Sequence, residues 1–440
     1  MLVEGPPATI PVGAEARIDR LVTAFMAREN VPGVALVALR GDQIVAQRGW
    51  GVSDLRTRAP MTTSAVQPFY SVSKQITAAV IVRLARLGLV DIEAPVGRYL
   101  PEWFGDQPTL LVAHLLRQTS GLPDFVGRPE VLAIEAAGPG TGSPATMLAI
   151  VDALPRRFEP GERHAYSNSN FTALALIAER VTGRPFDQLQ REMLFAPLNL
   201  ASMDECSVAV GAGRAVSPGH DGEGTVQRLP PNLRPSFVGA GGVCGNATDL
   251  ARWTRSLGRG RVFSRALLES IRSAPPVLAG DVPPYGFGLS TVEIAGRPAF
   301  SHGGVGDGWG AWTVYLPHDD LTLTLLFNRG WVWGSDLATP IVRALTGQPD
   351  RAPLQRLALN ESDRGVLGGA FEDGLFEIDI AAEADRILVS VPPFGPPIEM
   401  WKQPDGRFVS PVRPDTFVMR LAASGPQLDW AEHRSYLSRR

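Results

Sequence analysis

The sequence predicts an α/β protein in which an antiparallel sheet is flanked by helices and carries an inserted helical domain, with a small all-β domain after it. Strand-like runs occur near both ends of residues 1–350, and helical patterns fill the stretch between them. Residues 347–354 contain two prolines and are typical of a linker. Short strand-like runs recur at regular spacing beyond them. We therefore predict one domain over residues 1–350 and a second over residues 351–440.

The composition of the 440-residue chain is that of an ordinary soluble globular protein, with 44% hydrophobic and 20% charged residues. A net charge of −3 indicates neither a nucleic-acid partner nor an anionic membrane. No apolar run approaches the length of a transmembrane helix.

The expected compartment follows from the N-terminus and the cysteines. Residues 1–17 show no basic segment followed by an apolar core, so we expect a cytoplasmic protein, or a periplasmic one whose leader was removed. Cys206 and Cys244 form no motif. We expect buried free thiols rather than a disulfide, in keeping with a reducing compartment.

The N-terminal region is predicted to form a helix and a hairpin before a second helix begins. Apolar residues recur at helical spacing between residues 13 and 30. Two strand-like runs, Gly33–Arg40 and 43–50, flank a two-residue Gly-Asp turn and so predict a β-hairpin. The second amphipathic helix begins at Ser71, and Gly88 is its stop signal.

The middle of the chain, residues 91–235, is predicted to be helical, most clearly at 114–116 and 171–181. Residues 211–235 are rich in Gly, Pro and Arg and predict a long surface loop of the kind that is often functional. A helix after Asp249 leads back to strands. These strands are predicted at Leu289–Ile294, 299–302, 311–316 and Leu321–Phe327, with a short helix at 337–345.

The second domain shows short strand-like runs separated by turns, which predict a small barrel or sandwich. A unit of this size is small enough to depend on its neighbour for stability. The runs are 371, 375–380, 387–391, 399–402, 408–409, 416–421 and 427–431.

Lys74 stands out because the chain has 42 Lys and Arg residues, of which only Lys74 and Lys402 are lysines. An arginine cannot give up its proton in a protein, whereas a lysine can once burial lowers its pKa. Ser71 lies three residues earlier, so the two side chains share a helix face. The pair could supply a nucleophile and the adjacent base that activates it. The structural alternative is a helix N-cap at Ser71 and a solvated Lys74.

Tyr166-Ser167-Asn168 is a candidate second part of the same site. A phenol beside a lysine could relay a proton, and the amide of Asn168 could hold a substrate carbonyl or the amine of Lys74. The alternative is that these residues only form a turn or a helix start.

His302-Gly303-Gly304 is a candidate third part, at the end of a predicted strand. The glycines would let a substrate backbone lie against the strand edge. A backbone N–H just past them, with the N–H of Ser71, could form an oxyanion hole. The alternative is a turn that needs glycine and a histidine on the surface.

In this order, the three motifs resemble those of the serine β-lactamase and penicillin-recognising enzyme superfamily. The resemblance is to the branch that holds class C β-lactamases, D-Ala-D-Ala carboxypeptidases, D-aminopeptidases and related esterases. It covers residues 10–346 and extends to the stretches 114–123, 158–161 and 241–243. The matching positions are Ser71 and Lys74 for Ser-x-x-Lys, Tyr166 and Asn168 for Tyr-x-Asn, and His302 and Gly304 for His-x-Gly.

The resemblance implies a β-lactamase-like fold, with the site in a cleft between the α/β domain and the helical domain. Ser71 would attack a carbonyl, Lys74 and Tyr166 would jointly move protons, and water would hydrolyse the acyl-enzyme. The N–H groups of Ser71 and Val305 would form the oxyanion hole. No metal or cofactor is implied. The substrate would be contacted by Asn168, His302, Gly303, Gly304 and Val305.

The third motif departs from the β-lactamase pattern, which has a permanently charged lysine where this chain has His302. A mostly neutral imidazole gives up charge-assisted pairing, so β-lactams and C-terminal carboxylates should bind less well. This motif looks more like that of D-aminopeptidases, D-amino-acid amidases and some esterases. Some of those relatives also carry small lipocalin-like barrels. Such a barrel can narrow the cleft or can merely stabilise the fold.

These observations together predict a cofactor-free serine hydrolase that acts on a small amide, a D-amino-acid-containing peptide or an ester. Its partner would be a small-molecule or short-peptide substrate, and the sequence does not predict the oligomeric state. One alternative is an acyltransferase that uses the same residues. The other is a sensor or binding protein of the same fold that does not turn over.

Overall fold

A computed structural model of the protein provides the fold, and thirteen α-helices, two short 3₁₀ helices, one π-helix and twenty-one strands make up its regular structure within the described residues. The described residues are 10–137, 142–211, 216–220, 228–229, 237–273, 285–372, 377–391, 396–414, 416–422, 425–430 and 433–439. The helices are α1 (Ala14–Glu29), α2 (Ser73–Arg86), α3 (Pro101–Phe104), α4 (Val112–Leu116), α5 (Pro129–Ala136), α6 (Pro144–Asp152), α7 (Asn168–Thr182), α8 (Phe186–Gln190), α9 (Cys206–Gly211), α10 (Ala247–Gly258), α11 (Arg265–Arg272), α12 (Ser335–Leu345) and α13 (Glu361–Leu367).

The strands fall into one group that builds the first domain and one that builds the second. The first group is β1 (Gly33–Arg40), β2 (Gln43–Gly51), β3 (Gln67–Pro68), β4 (Asp204–Glu205), β5 (Gly219–His220), β6 (Arg228–Leu229), β7 (Val243–Gly245), β8 (Tyr285–Gly286), β9 (Leu289–Ile294), β10 (Arg297–Gly306), β11 (Trp309–Leu316) and β12 (Leu321–Phe327). The second group is β13 (Gly369–Glu372), β14 (Glu377–Ala382), β15 (Ile387–Ser390), β16 (Ile398–Lys402), β17 (Phe408–Val409), β18 (Phe417–Ala422), β19 (Gly425–Trp430), β20 (His433–Tyr436) and β21 (Ser438–Arg439).

The main sheet is antiparallel and joins the two ends of the first 350 residues, as predicted. Its seven strands run in the order β2-β1-β12-β11-β10-β9-β8. The register places Val34 opposite Phe327, so the N-terminal hairpin lies beside a strand nearly 300 positions later. The strands β1, β11 and β12 are buried along almost their whole length, because one apolar cluster packs on each face of the sheet. The β-lactamase-like α/β fold is therefore confirmed.

Helix α2 lies at the centre of the larger core and carries the Ser-x-x-Lys motif at its start. Ten of its fourteen residues are buried, including Lys74. It packs against α7, the helix that begins at Asn168. This contact brings the first two predicted motifs together, although 94 positions separate Lys74 from Asn168. Among the helices of the described ranges, none combines the length and the apolar character that a membrane-spanning segment requires.

The expectation of free thiols is wrong, because Cys206 and Cys244 form a disulfide. The strands β4 and β7 pair so that Glu205 lies opposite Val243, and this register brings the two cysteine Cα atoms to 4.9 Å. The backbone N–H of Cys206 also donates to the carbonyl of Gly242 at 2.8 Å. The sequence contains little sign of this pairing, because the two strands are only two and three residues long.

The predicted surface loop at 211–235 lies mostly outside the described residues. Its described residues are 211, 216–220 and 228–229, and of these the residues 216–220 are half-buried or buried. The N–H of His220 donates to the carbonyl of Gly308 at 3.1 Å, in the turn between β10 and β11. This part of the segment is therefore packed against the main sheet rather than projecting from the surface.

The C-terminal sheet has nine strands in the order β20-β19-β18-β17-β16-β15-β14-β13-β21. Only Leu437 separates β20 from β21, so one run of chain pairs with β19 at one end and with β13 at the other. The sheet therefore curls back on itself, and its inward side chains, such as Ile378 and Ile380 of β14, form an apolar cluster. This all-β unit, hereafter the barrel, confirms the lipocalin-like prediction. The division into domains at residue 350 remains our proposal.

The barrel is attached to the first domain by apolar and polar contacts. Trp333, in the loop before α12, belongs to the apolar cluster of the barrel. The hydroxyls of Ser335 and Thr416 lie 2.8 Å apart, and Arg413 donates to Glu29 at 2.8 Å. The partly buried side chain of Val305, on β10, packs against the same apolar cluster. The barrel thus reaches the strand that carries the third motif.

The disulfide should stabilise the fold measurably. Closing the 38-position separation between Cys206 and Cys244 restricts the unfolded chain, so losing the bond should lower the free energy of unfolding by about 2–4 kcal/mol. Urea denaturation of Cys244→Ser, with and without reductant, measures this. Reductant should lower the wild-type midpoint to that of the variant and leave the variant unchanged. An unchanged wild-type midpoint in reductant would contradict the structural role of the bond.

Candidate active site

Ser71 lies in a single 3₁₀ turn, Tyr70–Val72, directly before α2. The preceding residue, Tyr70, has φ of +47°, a left-handed conformation that costs energy for any residue with a side chain. The hydroxyl of Tyr70 donates to the carbonyl of Asp307 at 2.9 Å. Its ring covers Gly306, where a Cβ atom would lie 2.5 Å from the ring. These contacts hold the turn that presents Ser71 against the end of β10.

Lys74 is fully buried and donates three hydrogen bonds to three different segments of the chain. Its Nζ lies 3.1 Å from Ser71 Oγ, 2.8 Å from Asn168 Oδ1 and 2.7 Å from the carbonyl oxygen of Ala240. An ammonium has three donors, so this set uses all of them. The alternative of a solvated lysine is excluded, and the helix start shows no side-chain cap from Ser71.

The burial of Lys74 makes its neutral form available near neutral pH. Burial lowers the pKa of Lys74 to about 7, and the negative charge of Asp124 opposes this shift. The rings of Tyr166 and Phe171 lie 4.8 and 5.8 Å from Nζ. A lysine with such a pKa can accept a proton near neutral pH, which an arginine in the same place could not.

Asn168 is the first residue of α7, and its amide is held by a residue that sequence reasoning missed. The carboxylate of Asp124 accepts the side-chain Nδ2 of Asn168 at 2.8 Å and its backbone N–H at 3.1 Å. Burial raises the pKa of Asp124, while hydrogen bonds from Val126 and Asn168 and the charge of Lys74 act in the opposite direction. The one available hint was position, since Asp124 directly follows the family-like stretch 114–123.

The carbonyl of Ala240 is fixed in place by its own segment, residues 239–245. The neighbouring carbonyl of Gly239 accepts from Thr77 Oγ1 at 2.6 Å, and the N–H of Val243 donates to Ser73 Oγ at 3.1 Å. Both hydroxyls belong to α2. On its other side the segment is held by the disulfide through Cys244. The Ala240 carbonyl, which accepts the third hydrogen bond of Lys74, therefore lies on a segment that is held by α2 on one side and by the disulfide on the other.

In the described structure, the third motif lies on the end of β10 that pairs with β11 on one side but not with β9 on the other. Within the described residues, β9 pairs with β10 only as far as Ser301. The turn carrying Ser71 packs near the open edge: a Cβ atom at Gly304 would lie 2.0 Å from the carbonyl oxygen of Phe69 and 2.8 Å from the nitrogen of Ser71. Glycine at 304 is thus required by the protein backbone, whereas we expected it to make room for a substrate.

His302 is buried, and both of its ring nitrogens have protein partners. Nδ1 lies 2.6 Å from the carbonyl oxygen of Gly303, and Nε2 lies 3.0 Å from the hydroxyl of Tyr285. Because a carbonyl only accepts, Nδ1 carries the hydrogen, and in the neutral ring Nε2 accepts from Tyr285. The direct contact of His302 with a substrate stays a prediction. Sequence reasoning missed Tyr285, which lies on a two-residue strand.

Aromatic rings join the second and third motifs. The rings of Tyr166 and His302 have centroids 6.3 Å apart, and Tyr285 lies 6.1 Å from Tyr166 and 5.7 Å from His302. The three predicted motifs therefore converge. Ser71, Lys74 and Asn168 are joined by hydrogen bonds. Tyr166 and His302 are brought beside each other by the contact between their rings. The roles of the individual residues remain our proposal.

Comparisons with known proteins agree with this geometry. The family model described as Beta-lactamase matches residues 18–346. A D-aminopeptidase from Brucella anthropi is 29% identical over 308 residues, a match that covers 68% of this chain. The match covers 56% of that relative, so the chain spans a little over half the length of that relative.

Solved structures are similar in fold. The octameric penicillin-binding protein homologue from Pyrococcus abyssi superposes with a TM-score of 0.69 at 19% identity, covering 96% of this chain and 100% of its own. The D-amino acid amidase from Ochrobactrum anthropi SV3 gives 0.63 at 21% identity, covering 76% of this chain and 99% of its own. Since the family model matches well over half of the residues, the chain belongs to the beta-lactamase family.

Proposed function

We propose that the protein is a serine hydrolase that forms an acyl-enzyme at Ser71 and acts on D-amino-acid amides and short peptides with an N-terminal D-residue. The observation that carries this proposal is the 3.1 Å contact between the Nζ of the fully buried Lys74 and the Oγ of the partly exposed Ser71. A hydroxyl becomes a nucleophile when an adjacent base takes its proton, and Lys74 is such a base near pH 7.

In the acylation step, Ser71 Oγ attacks the substrate carbonyl and its proton passes to the Lys74 and Tyr166 pair. The carbonyl oxygen becomes an oxyanion, which the backbone N–H groups of Ser71 and Val305 stabilise. The pair then returns the proton to the leaving amine as the C–N bond breaks. Water repeats the sequence on the ester, releasing the acid and restoring the Ser71 hydroxyl.

The substrate class is supported by the third motif and by the relatives. His302 is buried between Gly303 and Tyr285, so it does not place a permanent cation where β-lactamases have lysine. A substrate with a C-terminal carboxylate would lack a charged partner there. The family relatives include a D-aminopeptidase and the structural neighbours a D-amino acid amidase. Both names point to substrates whose scissile bond follows a D-residue.

For location, we propose an oxidising compartment such as the periplasm. Disulfides persist in oxidising compartments and are rare in the cytosol. The bond between Cys206 and Cys244 supports this location over the cytoplasmic one that the sequence suggested.

A hydrolysis panel on wild type and Ser71→Ala tests the proposal. The substrates are a short-chain p-nitrophenyl ester, the p-nitroanilides of D- and L-alanine and a chromogenic cephalosporin. We expect turnover that depends on Ser71, with D-alanine p-nitroanilide preferred over its L-isomer and over the cephalosporin. Equal rates for wild type and variant would refute the nucleophile. A stalled acyl-enzyme in the mass spectrum would instead indicate a sensor, and product formed with an added amine would indicate acyl transfer.

Lys74→Arg should inactivate the enzyme although it keeps a positive charge, because the guanidinium cannot accept the proton of Ser71. We expect a loss of about 10²–10⁴-fold in kcat/KM. Lys402→Arg is the matched control, since Lys402 pairs with Asp363 at 2.6 Å in the barrel and should tolerate the change.

The pH profile of the wild type gives a second check on Lys74. The neutral amine is the active form, so kcat/KM should rise through an apparent pKa near 7 and level off above it. Near-normal turnover by Lys74→Arg, or a wild-type profile that stays flat from pH 5 to 9, would overturn the assignment of the base.

Tyr166→Phe should lower turnover by about 10²–10⁴-fold if the phenol transfers a proton. Tyr99→Phe is the matched control, because the Tyr99 hydroxyl accepts from the backbone of Asp91 at 2.8 Å and takes no part in the site. A loss below about tenfold, under the range for general acid–base groups, would remove Tyr166 from the mechanism.

A further inference from the structure

We propose that Asp124 is a positioning residue for this reaction, holding the amide of Asn168 so that its oxygen, and not its nitrogen, faces Lys74. The inference rests on the proposed function and deepens it. It concerns a residue outside the three motifs, on the loop between α4 and α5.

The hydrogen bonds around Asp124 fix the orientation of the Asn168 amide. One carboxylate oxygen, Oδ2, accepts both the backbone N–H of Asn168 at 3.1 Å and its side-chain Nδ2 at 2.8 Å. The other, Oδ1, accepts the N–H of Val126 at 3.0 Å. A carboxylate without a proton only accepts, so the amide nitrogen must point to Asp124 and the amide oxygen to Lys74.

A reversed amide would create two repulsive contacts at once. Its NH₂ group would face the donors of Lys74, and its oxygen would face the carboxylate of Asp124. Since Lys74 is fully buried, the contact between its donors and the NH₂ group would leave a polar group without a partner, at a cost in free energy. Asp124 therefore gives the Asn168 amide a single stable orientation.

The orientation matters because the neutral amine of Lys74, its active form, has two N–H donors and one lone pair. Asn168 Oδ1 and the Ala240 carbonyl accept the two N–H groups, and this leaves the lone pair directed at Ser71 Oγ. If the Asn168 oxygen turned away, Nζ would lose one of the two anchors that aim it at the nucleophile. Small misplacements of catalytic groups are costly in rate.

The same carboxylate acts on Lys74 through space. The titratable side chains facing Nζ from the packed segments of the described structure are Tyr166, whose ring lies 4.8 Å away, and Asp124. The other contacts, from Ser71, Asn168, Ala240 and Phe171, carry no charge. The negative charge of Asp124 favours protonated Lys74, so removing it should extend the neutral form to lower pH.

The test compares Asp124→Asn with the wild type on the p-nitrophenyl ester and on D-alanine p-nitroanilide. At a pH above the acid limb we expect kcat to fall roughly 10- to 100-fold for both substrates, with KM for the ester little changed. The acid limb should move to lower pH by about half a unit or more. Asp405→Asn removes one carboxylate charge from the barrel surface and is the matched control. It should change neither kcat nor the pH of the acid limb.

A double-mutant cycle separates positioning from a general structural effect. If Asp124 acts through Asn168, then adding Asp124→Asn to Asn168→Ala should cost less than about threefold more in kcat, because residues in one network are not additive. A full multiplicative loss would overturn the proposal. So would a loss confined to KM for the ammonium-bearing D-alanine substrate, which would make Asp124 a binding group for that ammonium.

A second variant and a labelling assay keep the result clear. Asp124→Glu keeps the charge but displaces the carboxylate, so kcat should fall while the acid limb stays in place. The rate at which a fluorophosphonate labels Ser71, followed by intact mass against pH, reports the base without needing a substrate. A wild type that is never labelled and shows no Ser71-dependent turnover would refute the proposed function and this inference with it. Normal labelling by Asp124→Asn, with an unchanged pH profile, would refute this inference alone.

Discussion

The burial of the Lys74 ammonium is the constraint on which the rest of the site depends. Removing a charged amine from water costs several kcal/mol unless every donor finds a partner. Here the partners come from the turn before α2, from α7 and from the segment 239–245, which are far apart in sequence. The packing of α2 against α7 is therefore also what makes the charge tolerable. The residual cost appears as the lowered pKa of Lys74, which is what the proposed chemistry needs.

The segment 239–245 shows how the fold supports this one amine. It is bound to α2 through the hydroxyls of Thr77 and Ser73, to β4 by strand pairing and to the start of α9 through the disulfide. Glu205, beside the disulfide, lies so close to Gly242 that a Cβ atom there would be 2.1 Å from the carboxylate. Burial raises the pKa of Glu205 to about 8. The neutral acid thus avoids placing a second buried charge behind the segment.

Much of the fold could be predicted because its elements follow local rules. The hairpin at 33–51 has a two-residue turn between strand-like runs, and the scarcity of lysine drew attention to Lys74. The rest depends on contacts that no local pattern encodes. Cys206 and Cys244 meet through a register of two residue pairs. Asp124 lies on a loop and Tyr285 on a two-residue strand. In such segments the residue type alone does not indicate a functional role.

Gly304 is a second case in which the sequence did not indicate the contact that a residue makes. The motif was recognised, but the expected reason, room for a substrate, differs from the contact that the structure contains. The backbone of Phe69 and Ser71 occupies the space where a side chain would be. The left-handed Tyr70 is likewise invisible in the sequence, since its conformation follows from the turn between β3 and α2 and from its bond to Asp307.

The geometry at Val305 draws these contacts together. On one side its strand is fixed to the nucleophile turn by Gly304 and by the Tyr70 hydroxyl. On the other, the Val305 side chain packs against the apolar cluster of the barrel, which includes Trp333. Because the N–H of Val305 is half of the proposed oxyanion hole, the distance between the two halves is set by packing on both faces of one strand. Through its contact with Val305, the barrel therefore helps to hold the geometry of the site, even where it makes no contact with a substrate.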